Sequence, residues 1–135
     1  MGAGLVSMAR DIRAGTGPLH PPCCLVAGGE TTVTVKGQGS GGRCQELVLA
    51  AAIETAGLRD VVVLAAGTDG SDGPTMAAGA LADGESATRA RALGLNLAAR
   101  LADNDANPAL AALGDLIVTG PSNTNLLDLY LVLVG

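Results

Sequence analysis

The 135-residue chain has no tryptophan, no phenylalanine and a single tyrosine, Tyr130. Its apolar share of 48% comes mainly from alanine, leucine and valine, which predicts an aliphatic core in which small side chains let helices pack closely. There are no aromatic platforms on which nucleobases could stack. Thirteen acids against eight bases give a net charge of −5, which disfavours contact with a phosphate backbone. We therefore expect no nucleic acid partner.

Other missing features exclude further classes. No apolar run approaches the roughly 18 residues that a membrane span needs, and the N-terminus lacks the basic-then-apolar order of a signal peptide. A cytoplasmic protein without a membrane partner is therefore expected. The only histidine, His20, excludes a serine–histidine–aspartate triad within these residues. Three cysteines without CxxC spacing predict neither a disulfide framework nor a zinc site.

What is present is an alternation of strand-like and helix-like segments. Strands are predicted at 23–29, 31–36 and 60–68. Between Asp60 and Thr68 the last of these is apolar, as in a strand covered on both faces. Helices are predicted at 43–57, at 76–83 and in the alanine-rich segments that follow. The alternation predicts an α/β fold, a three-layer α/β/α sandwich with a mixed, largely parallel sheet. Residues 1–22 are predicted to form an N-terminal helix and a Pro/Gly-rich connector, and residues 23–135 the α/β domain.

The stretch "VKGQGSGGRCQE", residues 35–46, concentrates four glycines in the six positions 37–42. It matches GxGxxG at Gly37, Gly39 and Gly42, but the next strand-ending acid, Asp69, follows Gly42 by 27 residues, whereas a dinucleotide fingerprint places it about 20 residues on. As a phosphate-binding P-loop the stretch fails as well, because Cys44 stands where a serine or threonine hydroxyl must hold Mg²⁺.

Two interpretations of this loop remain. Backbone amides in a glycine turn, next to the positive end of a helix, make an anion-binding nest. The guanidinium of Arg43 adds a planar fork suited to carboxylate or phosphate. The alternative is a solvated loop with a surface arginine.

The acidic loop "GTDGSDGPT", residues 67–75, follows the most apolar strand. Open α/β sheets bind ligands at such strand ends. Its aspartates, Asp69 and Asp72, either bind a metal ion, accept a proton or cap a turn. Further polar clusters at 103–107, which includes Asn104, and at 119–125 are either turns or parts of one composite site.

The order and spacing of four motifs resemble the MOFRL domain, the C-terminal half of the glycerate 2-kinases, some of which are named hydroxypyruvate reductases. The motifs are "GGETTVTVKGQGSGGRCQE", "AAGTDGSDGPTMAAGA", "LADNDANPAL" and "DLIVTGPSNTN", and the resemblance covers about residues 23–134. It implies a three-layer α/β/α domain and an active site in the cleft beside a larger, Rossmann-like N-terminal domain, which supplies an essential lysine.

The resemblance also implies site residues. Arg43 and Asp69 match residues that contribute to the family's active site, and we take them as catalytic, with Asp69 a possible Mg²⁺ ligand. The predicted substrate- and phosphate-binding residues are Gly39, Gly41, Gly42, Thr68, Asp72 and Asn104. Two departures from the family pattern are Cys44, where asparagine is usual, and Asn123, where glycine is preferred.

The predicted function is ATP-dependent phosphorylation of D-glycerate to 2-phosphoglycerate, with Mg²⁺ accompanying ATP. The nucleotide-binding part would be the N-terminal domain or a separate chain, and the isolated chain is expected to be inactive. Two alternatives stay open: a non-catalytic anion-binding or docking module, and an NAD(P)H-dependent hydroxypyruvate reductase. An exposed apolar face that normally meets the partner domain would also favour homo-oligomers.

Overall fold

Five helices and five strands make up the chain in a computed structural model that describes residues 1–135. The helices and strands are, in chain order, α1 (Gly2–Ala14), β1 (Cys23–Gly29), α2 (Arg43–Glu54), β2 (Val61–Gly67), β3 (Gly79–Asp83), α3 (Ser86–Ala92), α4 (Leu97–Ala102), α5 (Ala106–Leu113), β4 (Leu116–Ile117) and β5 (Asp128–Val134). The α/β class is therefore confirmed. None of the helices is long and apolar enough to cross a membrane.

The strands form one sheet in the order β1-β5-β2-β3-β4, and every neighbouring pair is antiparallel. The predicted mixed, largely parallel sheet is wrong. Helix α2 does connect β1 to β2 as a crossover, so these two strands run in the same direction. However, β5 lies between them and runs opposite to both. Strand β3 then returns beside β2 without a crossover helix.

The helices pack against one face of this sheet only. Alternate residues of β2 and β5 point into a single core shared with α1 and α2; the largest of them are Val61, Val63, Tyr130, Val132 and Val134. On the other face the apolar side chains of Val26 and Leu133 remain 67% and 49% exposed. Within residues 1–135 the fold thus has two layers, and the third layer that was predicted is not formed by these residues.

Two local predictions fail because long-range contacts override local preference. Residues 31–36 form no strand; at the end of this segment the amide of Lys36 donates to the side chain of Asn104 and not to a neighbouring strand. The predicted helix at 76–83 contains strand β3, which pairs with β2. Gly79 allows this pairing, because a Cβ there would overlap the carbonyl oxygen of Ala65.

The topology brings several loops to one edge of the sheet. Asp128, the first residue of β5, is paired with Gly29 at the end of β1 and with Gly67 at the end of β2. The loops that follow β1 and β2 and the loop that precedes β5 therefore meet at this edge, next to the start of α2. Arg43 is the first residue of α2, and it lies at this junction.

Candidate functional site

The guanidinium of Arg43 is held by a buried carboxylate. Its Nε lies 2.6 Å from Asp128 Oδ2 and its Nη2 lies 2.9 Å from Asp128 Oδ1. The side chain of Asp128 is 1% exposed, and Tyr130 donates its hydroxyl to Oδ2 at 3.2 Å. These hydrogen bonds raise the pKa of Arg43 above its ordinary value. A buried carboxylate is costly unless paired in this way, so Arg43 and Asp128 stabilise each other.

The third nitrogen of the guanidinium has a different partner. Arg43 Nη1 lies 3.0 Å from Glu30 Oε1, and the Glu30 side chain is 52% exposed. Glu30 follows the last residue of β1 and lines an open cleft of about 430 Å³ with Arg43, Gly73 and residues 31–33. Arg43 is the only predicted site residue that lines this cleft, and Nη1 is the nitrogen that pairs with Glu30, another lining residue.

Sequence reasoning missed Asp128, although it is the residue that orients Arg43. A signal was present: Asp128 is the one charged residue in the otherwise apolar stretch "LDLYLVLVG". An isolated acid at the end of a buried strand indicates a paired or functional carboxylate. The cation that pairs with it lies 85 positions away in the sequence, so only the fold identifies the pair.

The glycine loop is packed against the 103–107 segment. Asn104 Oδ1 accepts the backbone N–H groups of Lys36 and Gly37 at 2.8 and 2.9 Å. The N–H of Gly39 donates to the carbonyl of Asp103 at 2.9 Å, and that of Ser40 donates to Asp105 Oδ1 at 3.1 Å. Most donors of the expected nest are therefore already satisfied within the chain.

These contacts also fix the side chain of Asn104, which is buried. Its amide donates to Glu46 Oε1 at 2.6 Å, so Asn104 joins the glycine loop to helix α2. A role for Gly39, Gly41, Gly42 or Asn104 in substrate binding stays a prediction. Gly41 packs against Ala106 and, with Gly42, leads into the start of α2.

The start of α2 is occupied by another side chain, that of Asp72. Its buried carboxylate accepts the backbone N–H groups of Cys44 and Gln45 at 3.0 and 2.9 Å, and also the Gln45 side-chain amide at 3.0 Å. A carboxylate at this position satisfies orphan helix donors and complements the helix dipole. Gly42 makes the approach possible, because a Cβ there would overlap the Asp72 carboxylate.

The thiol of Cys44 lies in the same buried region. Burial is the main cause that raises its pKa, and the charge of Asp72 adds to the effect. A thiol in such surroundings stays protonated and unreactive. All three cysteines are free, and Cys44 is the buried one.

Asp69 and Thr68 lie on the loop after β2. Asp69 Oδ1 accepts the backbone N–H and the hydroxyl of Ser71 at 2.9 and 3.1 Å. These bonds lower the pKa of Asp69, and the positive charge of Arg43 adds to the shift. Thr68 instead connects this loop to the segment before β5, since its hydroxyl donates to the carbonyl of Leu127 at 2.7 Å.

The chain contains no cluster of three or more histidine, cysteine, aspartate or glutamate side chains that could hold a metal ion. The remaining oxygen of Asp69, Oδ2, makes no hydrogen bond within the chain. One free carboxylate oxygen fits a Mg²⁺ ion held mainly by substrate phosphates and water, which is the usual arrangement for this metal. It does not fit a metal cage built from protein ligands alone.

Comparison with known proteins identifies the family of the chain. The MOFRL family model matches residues 23–128. The chain belongs to the MOFRL family. It is 44% identical to the D-glycerate 2-kinase of Thermotoga maritima over 133 residues, which are 98% of this chain and 32% of the relative. Human glycerate kinase is 46% identical over 118 residues, covering 82% of this chain and 23% of that protein.

Solved structures agree with this assignment. The crystal structure of the glycerate kinase from Thermotoga maritima superposes with a TM-score of 0.97 over 99% of this chain and 32% of its own. A protein from Pyrococcus horikoshii at 37% identity gives a TM-score of 0.92 over 98% of this chain and 30% of its own. The resemblance to MOFRL domains is confirmed. The chain spans about a third of the length of these relatives.

Proposed function

We propose that the chain acts as the C-terminal domain of a glycerate 2-kinase and contributes to ATP-dependent phosphorylation of D-glycerate to 2-phosphoglycerate. The names of the relatives support the reaction class. The observation that carries the proposal is Arg43, which is fixed by Asp128 at the edge where three loops converge. Arg43 lines an open cleft together with Glu30, the partner of its Nη1. Phosphoryl transfer depends mainly on positioning and on neutralising charge, and a fixed arginine supplies both.

In this proposal Arg43 contacts the carboxylate of glycerate or the transferring phosphoryl group. Asp69 orients the attacking hydroxyl through its free oxygen, or contacts Mg²⁺ there. When bound with ATP, Mg²⁺ would neutralise phosphate charge at this edge. Asp72 and Asn104 act indirectly, because Asp72 holds the start of α2 and Asn104 holds the glycine loop.

The balance of charge supports the prediction that the chain needs the rest of the enzyme. Near the cleft a single cation, Arg43, pairs with the carboxylates of Glu30 and Asp128. The positive charge of Arg43 also adds to the lowering of the Asp69 pKa that the Ser71 hydrogen bonds cause. A phosphate dianion placed here without further cations would be held only weakly, because these carboxylates offset the charge of Arg43. We therefore propose that the isolated chain is inactive, and that a nucleotide-binding domain or separate chain supplies the missing positive charge. A cytoplasmic location and self-association of the isolated chain remain the predictions made from the sequence.

The test uses a chimera in which this chain replaces the matching third of the Thermotoga maritima enzyme, assayed for D-glycerate and ATP turnover. Arg43→Ala is expected to lower kcat/KM at least tenfold, about 1.4 kcal/mol. Arg91→Ala, an exposed arginine on α3, is the matched control and should leave kcat/KM unchanged.

Three outcomes would contradict the proposal. An unchanged kcat/KM in Arg43→Ala would remove Arg43 from the site. A folded chimera without kinase activity would favour a non-catalytic anion-binding or docking module. Oxidation of NADH by hydroxypyruvate would favour the reductase.

A further inference from the structure

The three nitrogens of Arg43 are not equivalent. Two of them, Nε and Nη2, bind both oxygens of Asp128, whose side chain is 1% exposed. The third, Nη1, binds one oxygen of Glu30, whose side chain is 52% exposed and borders the cleft. We infer that an anionic group binds Arg43 by replacing the Glu30 carboxylate at Nη1, while Asp128 stays in place as the residue that positions the guanidinium.

This inference rests on the proposed function, because it takes Arg43 to be the anion contact. It adds to that function the nitrogen that contacts the anion, Nη1, the carboxylate that the anion displaces, Glu30, and the carboxylate that remains bound to the guanidinium, Asp128. It also revises the expectation from the sequence. A free guanidinium offers a bidentate fork, but here that fork is already closed on Asp128.

Asp128 is the partner that stays, because several contacts hold it. It forms two short hydrogen bonds to Arg43, and it accepts a third from Tyr130. Its backbone is paired on both sides, with Gly29 in β1 and Gly67 in β2. Separating a buried ion pair leaves an uncompensated charge and is strongly unfavourable, so a ligand that competed for Nε and Nη2 would have to bear that loss.

Glu30 is the partner that leaves. Its carboxylate makes a single ion pair with Arg43 at 3.0 Å, and exposed pairs of this kind contribute little free energy. Glu30 follows the last residue of β1, where regular pairing with β5 has ended, so its side chain can turn toward solvent without disturbing the sheet. In the free chain Glu30 then neutralises the part of the guanidinium that Asp128 leaves unpaired.

The experiment measures binding of inorganic phosphate to the full chain by NMR titration at constant ionic strength, following the Arg43 Nε–H signal. Glu30→Gln should bind phosphate roughly two- to fivefold more tightly than the unmodified chain, the range that exposed ion pairs allow. Glu54→Gln is the matched control, since Glu54 forms an exposed arginine pair with Arg10 at the far end of α2. It should leave the affinity unchanged.

Asp128→Asn should act in the opposite direction. It is expected to weaken phosphate binding in the Glu30→Gln background by at least about fivefold, since the guanidinium loses a charged partner whose hydrogen bonds are the strong kind. The amide signals far from the sheet edge should stay in place. If Asp128→Asn does not fold, Tyr130→Phe removes one hydrogen bond to Asp128 and should shift the Arg43 Nε–H signal and weaken binding in the same direction.

Three results would overturn the inference: no saturable shift across the millimolar range in Glu30→Gln, equal tightening in Glu54→Gln, or a Glu30→Gln gain that survives Arg43→Ala. Failure of the proposed function would look different. In that case the kinase chimera keeps its kcat/KM when Arg43 is replaced, whatever the phosphate titration shows. If the chimera does need Arg43 but Glu30→Gln binds phosphate no more tightly, only the displacement of Glu30 is wrong.

Discussion

Replacing Asp72 by alanine tests whether this residue holds helix α2 or is kept for substrate. Its buried carboxylate accepts the backbone N–H groups of Cys44 and Gln45. Truncation would strand both donors where water has little access, and each stranded donor costs about 1–3 kcal/mol. An ordinary helix cap, which water can partly replace, is worth about 0.5–2 kcal/mol. We therefore expect Asp72→Ala to lower the free energy of unfolding by about 3 kcal/mol.

The assay is urea unfolding followed by circular dichroism. With a slope of about 1–3 kcal/mol per molar urea, a loss of this size moves the midpoint by roughly 1 to 3 M. Asp72→Asn keeps the shape but loses the charge, and about half of the loss is expected. Asp11→Ala, an exposed aspartate on α1, is the control and should stay within about 0.5 kcal/mol of the parent.

A change below about 0.5 kcal/mol in Asp72→Ala would refute this reasoning, since that is the range of surface substitutions without structural contacts. A gain in stability would point the other way, to a carboxylate held for function at the expense of the fold. The measurement therefore separates the structural role of Asp72 from the substrate-binding role predicted for it.

Two further predictions concern neighbouring contacts. Gly42→Ala should destabilise the chain by about 1–3 kcal/mol, the usual range for overpacking, because its Cβ would overlap the Asp72 carboxylate. Gly4→Ala on α1, where a Cβ meets nothing within 4 Å, should instead stabilise it by about 0.5–1 kcal/mol; thermal melts that show the same sign for both would contradict the packing. The hydrogen bond from the Ser40 N–H lowers the pKa of Asp105 below its ordinary 3.8. The stabilisation from the ionised Asp105 carboxylate should be complete above pH 3.8 and should be lost as the pH falls through the lower pKa of the folded state. Acid unfolding of Asp105→Asn should therefore lack the pH dependence that Asp105 contributes.

Part of the site could be predicted from the sequence because it depends on local features. The apolar run that became β2 and the helix formers that became α2 predict their own elements. Because α2 is a crossover between β1 and β2, the carboxyl ends of these strands lie at one edge. Arg43 and Asp69 are therefore brought to the same edge, although the predicted sheet direction is wrong.

The rest depends on pairing between distant residues. Nothing local indicates that β5 inserts between β1 and β2, and this insertion is what brings Asp128 to Arg43. The alanine-rich stretch at 76–83 favours a helix by propensity, yet pairing with β2 makes its second half a strand. Propensity differences of a few tenths of a kcal/mol per residue are too small to resist a full ladder of hydrogen bonds.

The glycines of residues 37–42 are explained by close packing of two loops and not only by the anion binding that the sequence suggested. They suggested a phosphate nest, but a Cβ at Gly37 or Gly39 would overlap the backbone of Asp103 or Asp105. Their small size is thus required by the close packing of the two loops. This packing in turn fixes the start of α2, and with it the base from which Arg43 reaches Asp128. The glycine loop therefore helps to position Arg43, whereas Glu30 and the adjacent cleft determine which ligand can contact its guanidinium.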